Sequence, residues 1–211
     1  MHVHQKNIAK GGLALTDAKK VMIMVHGRGS NPDTILNLSK HLKVKDFALL
    51  APRAKDNTWY PFSFMAPTDQ NEPGLSSALQ VLNELVEEVI ALGFDTKDIY
   101  FLGFSQGACL ASEFVARNAK RYGGVFIYSG GVIGQEIDKS NYHGDFSGTP
   151  ILIGCSDVDA HIPLKRVKDT TALFLEMNAD VTEEIFPNAP HTIFEKEIKL
   201  TNEILRFGSV S

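Results

Sequence analysis

Cysteine is scarce: Cys109 and Cys155 are the only two among 211 residues, and they form no C-x-x-C pair. That excludes a disulfide framework and makes a reducing, cytoplasmic setting the expected one. Long apolar runs are also missing. The longest uncharged apolar runs, such as VMIMV at 21–25, are about five residues, against roughly 20 for a bilayer-spanning helix, so stable membrane insertion is not expected. The start, MHVHQKN, has neither an apolar core nor a small-residue cleavage site, which argues against a secretory signal. Positive charge is not in surplus, with Lys and Arg at 21, Asp and Glu at 25, and a formal net charge of −4. Phosphate-backbone binding needs clustered positive charge, so nucleic acid is not an expected partner. Repeats, low-complexity tracts and linker-like stretches are absent as well. Hydrophobic residues make up 44%, enough for a full core, which rules out global disorder. The length suits one domain over 1–211.

What is present alternates. VMIMV (21–25), FALLAP (47–52), IYFLGF (99–104), VFIYSG (125–130) and ILIGC (151–155) are short and apolar, the pattern of strands covered on both faces. VTEEIF (181–186) reads as a further strand, and HVHQKNI at the start as an alternating edge strand. Helices are predicted from Asp33, as a cap, to about Leu42, and at 108–119, 165–177 and 192–207. Another runs from Leu75 to a stop at Gly93, with Leu79, Leu82, Val86, Val89 and Ile90 on the face of Leu75. Such alternation implies an α/β fold with a mostly parallel, doubly wound sheet, whose reactive groups collect at the carboxyl ends of the strands. One long irregular region, 51–74, holds four prolines and the only tryptophan, Trp59, beside Tyr60, Phe62 and Phe64. Loops that long inside a compact domain are usually functional.

GFSQG (103–107) follows a strand and opens a helix, the context in which G-x-S-x-G presents a nucleophile. A serine at so sharp a turn takes a strained backbone costing about 1–3 kcal/mol, and Gly103 and Gly107 remove Cβ atoms that would clash there. Ser105 is therefore the expected nucleophile, and the N–H of Gln106 one oxyanion donor. The second donor is expected in HGRGS (26–30), at the Arg28 N–H. His26 reads as a structural histidine bonded to backbone. The Arg28 side chain reads as a surface charge or a guide for an anionic substrate. A serine hydroxyl needs a base. Of seven histidines, His191 in FPNAPHTI sits where a loop after the last strand delivers an imidazole. The orienting acid is sought in SDVDAHIP, which offers both Asp157 and Asp159. Asp157, Asp159 and His161 alternate as metal ligands do, but no further ligand cluster accompanies them and no metal is expected. His161 otherwise reads as a pocket-rim residue, and Cys109 as a small packed side chain.

Taken together, HGRGS, GFSQG, the SDVDAHIP turn and PNAPHT resemble the phospholipase/carboxylesterase family of α/β hydrolases, relatives of the acyl-protein thioesterases, over 21–207. The resemblance implies the α/β-hydrolase fold and cofactor-free hydrolysis of an ester or thioester. It implies Ser105, Asp159 and His191 as catalytic residues, because the family's acid is the aspartate preceding a Val/Ile–Pro pair, as in DAHIP here. It also implies an oxyanion hole made by the backbone N–H groups of Arg28 and Gln106. The chain departs from the thioesterases by Arg28 where an apolar residue is usual, Ala108 where a second glycine is usual, and alanine after Asp159 where proline is usual. NTWYPFSFMAP resembles a bacterial subgroup. The leading expectation is a serine carboxylesterase for small to medium acyl groups, working through an acyl-enzyme. Trp59, Tyr60 and Phe62 are expected either to line the acyl pocket or to anchor their loop. Alternatives are a thioesterase, acyltransferase or lysophospholipase on the same residues, or a non-catalytic binding protein on the same scaffold. A small-molecule ester is the expected partner, and a homodimer is left open.

Overall fold

The apolar runs become strands that are buried almost throughout. In a computed structural model describing residues 2–207, the strands are β1 (Ile8–Gly12), β2 (Lys20–Val25), β3 (Phe47–Pro52), β4 (Ile99–Phe104), β5 (Gly124–Tyr128), β6 (Pro150–Ser156) and β7 (Asp180–Phe186). The helices are α1 (Pro32–Asn37), α2 (Gly74–Ala91), α3 (Gln106–Arg117), α4 (Leu164–Glu176) and α5 (Glu195–Phe207). Residues 1 and 208–211 of the expected domain lie outside the described residues. The strands form one seven-stranded sheet in the order β1-β3-β2-β4-β5-β6-β7. Only β1 is antiparallel, pairing with β3, and every other neighbour is parallel.

Successive side chains of a strand point to opposite faces, which divides the core into two layers. Ile23, Phe101, Ile127 and Ile153 pack with Leu82 of α2, Phe114 of α3 and Phe174 of α4. Met24, Leu102, Phe126 and Leu152 face the other way, toward Ile35 of α1 and Leu205 of α5. Each such side chain contributes about 1.5–3 kcal/mol on burial.

Three elements differ from the sequence expectation by more than two residues. The edge strand is IAKGG, not HVHQKNI. The alternation in the first residues is real but serves a loop: His2 Nε2 lies 2.8 Å from the Thr58 carbonyl, and His4 Nε2 is 2.8 Å from the Trp59 carbonyl. His4 Nδ1 accepts from the Lys55 N–H at 3.0 Å. The first helix is short, giving way to a 3-10 turn at Leu38–His41. Its cap is Asn31, not Asp33: the Asn31 side chain accepts from the Thr34 N–H at 3.1 Å, with Pro32 as the first helical residue. Finally, α5 starts at Glu195, so residues 187–194 remain a loop.

Candidate active site

Strand β4 ends at Phe104 and α3 begins at Gln106, leaving Ser105 alone to make the turn at φ 55° and ψ −122°. A non-glycine residue held there is strained by about 1–3 kcal/mol. The Ser105 N–H donates to the Tyr128 carbonyl at 2.9 Å, and its carbonyl accepts from the Cys109 N–H at 3.0 Å. The flanking glycines clear different obstacles. A Cβ on Gly103 would sit 2.5 Å from the Gly107 carbonyl oxygen, whereas one on Gly107 would strike the Val25 and His26 carbonyls at the end of β2.

The turn lifts Ser105 Oγ to 2.9 Å from His191 Nε2, and His191 Nδ1 lies 2.6 Å from Asp159 Oδ2. The other carboxylate oxygen of Asp159 accepts the N–H groups of His161 at 2.8 Å and Ile162 at 3.0 Å. Burial acts to raise the Asp159 pKa. The His191 bond and the two amides outweigh it and hold the carboxyl below its usual range. An ionised carboxylate facing Nδ1 keeps the proton there and leaves Nε2 free to accept one from the serine. Asp157 has another task. It accepts the Asn188 N–H at 2.7 Å, and Ser156 Oγ donates to the Ala189 carbonyl at 2.7 Å, so the end of β6 holds the loop that carries His191.

The Arg28 side chain is exposed but tethered. Its guanidinium donates to the carbonyls of Tyr60 at 2.9 Å, Pro61 at 2.9 Å and Phe62 at 2.7 Å. Gln106 grips the same loop, accepting from the Trp59 N–H at 3.0 Å and donating to the Tyr60 carbonyl at 2.8 Å. As the first residue of α3, Gln106 also presents a backbone N–H with no intrahelical acceptor.

Ser105 and His191 open on a cleft of about 610 Å³ whose walls include Tyr60, Phe62, Phe64, Cys109 and Ile162. Trp59 is not among them. It is 0% exposed, its indole N–H donates to the His26 carbonyl at 2.8 Å, and its ring packs on those of His4 and His26. Of the three aromatic residues expected at the substrate, Tyr60 and Phe62 reach the cleft, and Trp59 anchors their loop from behind. His26 donates through Nδ1 to the Gly27 carbonyl at 2.9 Å and accepts the Ala54 N–H at 3.2 Å, and burial lowers its pKa. His161 stands at the rim, its ring 5.0 Å from that of His191. Burial pushes the Cys109 thiol up to about 12, too high for a nucleophile near neutrality. Sequence reasoning missed Cys155, whose buried sulfur is 3.8 Å from Asp159 Oδ2. Only its position four residues before Asp159 hinted at it. Among the described residues no group of three or more His, Cys, Asp or Glu is placed to hold a metal, and no helix is long and apolar enough to cross a membrane.

Comparison with known proteins follows the same lines. Residues 14–207 match the phospholipase/carboxylesterase family model. A phospholipase/carboxylesterase structure from Dyadobacter fermentans is 46% identical and superimposes with a TM-score of 0.96, covering 97% of this chain and 99% of that one. The carboxylesterase SOBER1 of Arabidopsis thaliana is 23% identical over 201 residues, 86% of this chain and 87% of its own length. Acyl-protein thioesterase 1 of Kluyveromyces lactis is 31% identical over 102 residues, 48% of this chain and 45% of its own length.

Proposed function

Because the chain belongs to the phospholipase/carboxylesterase family of α/β hydrolases, we propose that it is a serine carboxylesterase with Ser105, His191 and Asp159 as its catalytic residues. His191 Nε2 takes the Ser105 proton as Oγ attacks the ester carbonyl. The N–H groups of Arg28 and Gln106 receive the oxyanion, each worth about 2.7–4 kcal/mol in the transition state. The imidazolium, stabilised by ionised Asp159, protonates the leaving alcohol. Water then repeats the cycle on the acyl-enzyme, with the same imidazole as base. Nucleophile, base and charge stabilisation all come from protein groups, so no cofactor enters the proposal. A cleft of about 610 Å³ walled by Tyr60, Phe62 and Phe64 suits small to medium acyl groups. Two buried, unpaired thiols fit a reducing, cytoplasmic setting.

The observation that carries this reading is the unbroken row from Ser105 Oγ through His191 to Asp159, with contacts of 2.9 Å and 2.6 Å, at the mouth of an apolar cleft. A fluorophosphonate should add once, on Ser105, and not at all to Ser105→Ala. Folded protein that stays unlabelled where known serine esterases react would refute the reading. Similarity to an acyl-protein thioesterase over about half the chain supports thioesters as a second substrate class. Esters and thioesters of matched acyl length separate the two.

A further inference from the structure

We propose that the ester this protein cleaves carries a carboxylate, and that the Arg28 guanidinium selects it within the cleft of Ser105. The inference rests on the hydrolase reading above and names the substrate class of that same site.

Arg28 is the only Asp, Glu, Lys or Arg among the residues lining the cleft. Asp159 is held out of it, with its side chain buried against His191. The cleft thus has a fixed positive charge in a chain whose formal net charge is −4, so the sign is local and does not follow from overall composition. Among the described residues no ion pair joins Arg28 to an acid. Its guanidinium bonds go to backbone carbonyls, one from Nη1 and two from Nη2. An arginine fork carries five N–H groups, so the Nε–H and the second N–H of Nη1 are left over.

Holding the loop does not require the charge. Gln106, which is neutral, grips the Trp59 N–H and the same Tyr60 carbonyl. Arg166 shows what a wholly structural fork looks like: it too binds three carbonyls, yet it is 4% exposed and lies outside this cleft. Arg28 is exposed instead, where a solute can reach it. Its carbonyl partners fix the guanidinium before any ligand arrives, so little rotamer freedom is lost on binding. The same residue supplies a backbone N–H proposed for the oxyanion. A carboxylate at the guanidinium therefore lies within one arginine side chain of the ester carbonyl. That spacing suits the half-ester of a short dicarboxylic acid, or a short hydroxy acid acylated on its hydroxyl. One cation matches one anion. A phosphate monoester would bring nearly two charges and leave part of them uncompensated, and a cationic head would meet like charge.

The test compares kcat/KM within two ester pairs, each setting a carboxylate against its isosteric carboxamide. Monomethyl glutarate and methyl glutaramate place the group on the acyl arm. O-acetylglycolate and O-acetylglycolamide place it on the alcohol arm. At about pH 8 the carboxylates are ionised. On the wild-type protein the carboxylate should be favoured at least about tenfold in one pair, which identifies the arm, and the advantage should shrink between about 0.05 and 0.5 M NaCl. Arg28→Gln should bring that ratio near one, while Arg28→Lys should keep part of it. Both variants lose the fork that holds residues 60–62, so a difference between them follows the charge and not the clamp. The ratios are internal to each preparation, so lower overall activity in a variant does not blur them. No carboxylate preference in either pair, a preference untouched by salt, one retained in Arg28→Gln, or equal ratios in the two variants would overturn the assignment. A wild-type protein that hydrolyses none of the four esters and takes no fluorophosphonate would instead refute the hydrolase reading itself.

Discussion

Arg28 and Gln106 each face two ways. Their backbone N–H groups are the donors proposed for the oxyanion, while their side chains hold the carbonyls or amide of residues 59–62. The proposed oxyanion hole and one wall of the cleft are thus fixed by the same two residues. The aspartates divide more cleanly. Asp159→Asn leaves the shape of the row but would turn the imidazole to the wrong tautomer, and kcat should fall by about 10⁴. Asp157→Asn loses only a loop contact and should stay within about tenfold of wild type. Steady-state kinetics on a short-chain ester decides between them, and the reverse ranking would transfer the acid role to Asp157. The meeting of Ser105 and His191 was legible in the sequence because the chemistry proposed for them demands particular residue types in particular turns. The guanidinium clamp was not, because its partners are backbone carbonyls some 30 residues away along the chain, which carry no residue signature. The Asn31 cap was within reach, since Pro32 marks the first helical position and points to the residue before it.

Among the elements, α5 carries an unusual group. Glu197 is 0% exposed; one carboxyl oxygen accepts the Phe194 N–H at 2.7 Å, and the other lies against Gly154 of β6 with no partner. Burial, with a smaller push from Glu184, raises its pKa to about 8. In the unfolded chain it would titrate near 4.5. Below that pH both states are protonated and nothing is lost. Above it the unfolded chain ionises first, so stability falls as pH climbs from 4.5 to about 8. Each unit of difference corresponds to about 1.4 kcal/mol. Glu197→Gln should remove this slope and raise the melting temperature at pH 8, with little change near pH 4.5. Parallel melts of the two proteins at both pH values test it. A wild-type protein as stable at pH 8 as the variant would show that Glu197 ionises without penalty. Apolar runs marked the central strands plainly, because burial on both faces demands them. The edge strand IAKGG escaped notice because it is half-buried and glycine-rich, and its register comes from β3 rather than from its own pattern.

Over the whole molecule, titrating groups press from opposite sides. Burial holds the pKa values of His4 and His26 below the ordinary 6.5. Their contribution to stability is complete above 6.5 and is lost as pH falls below it toward their folded values, because the unfolded chain then binds the protons. Both imidazoles accept an N–H from the loop beneath Trp59, at Lys55 and Ala54, and a protonated ring cannot accept. Acid should therefore loosen that loop first. Trp59, the only tryptophan, reports on it directly: its emission should shift to the red as pH drops below 6.5, and His4→Gln should weaken that shift. Emission that stays constant down to global unfolding would remove the histidines from the account.

The bonds from His2 and His4 to the loop at 55–59 also bear on how the enzyme is handled. A purification tag or surface tether fused ahead of His2 would pull on the wall behind Tyr60 and Phe62, and so could alter which esters the protein prefers. A handle placed after α5 hangs about 20 Å from the His191 loop, one helix length away for 13 residues. Immobilised or tagged preparations made in the two ways are therefore different reagents.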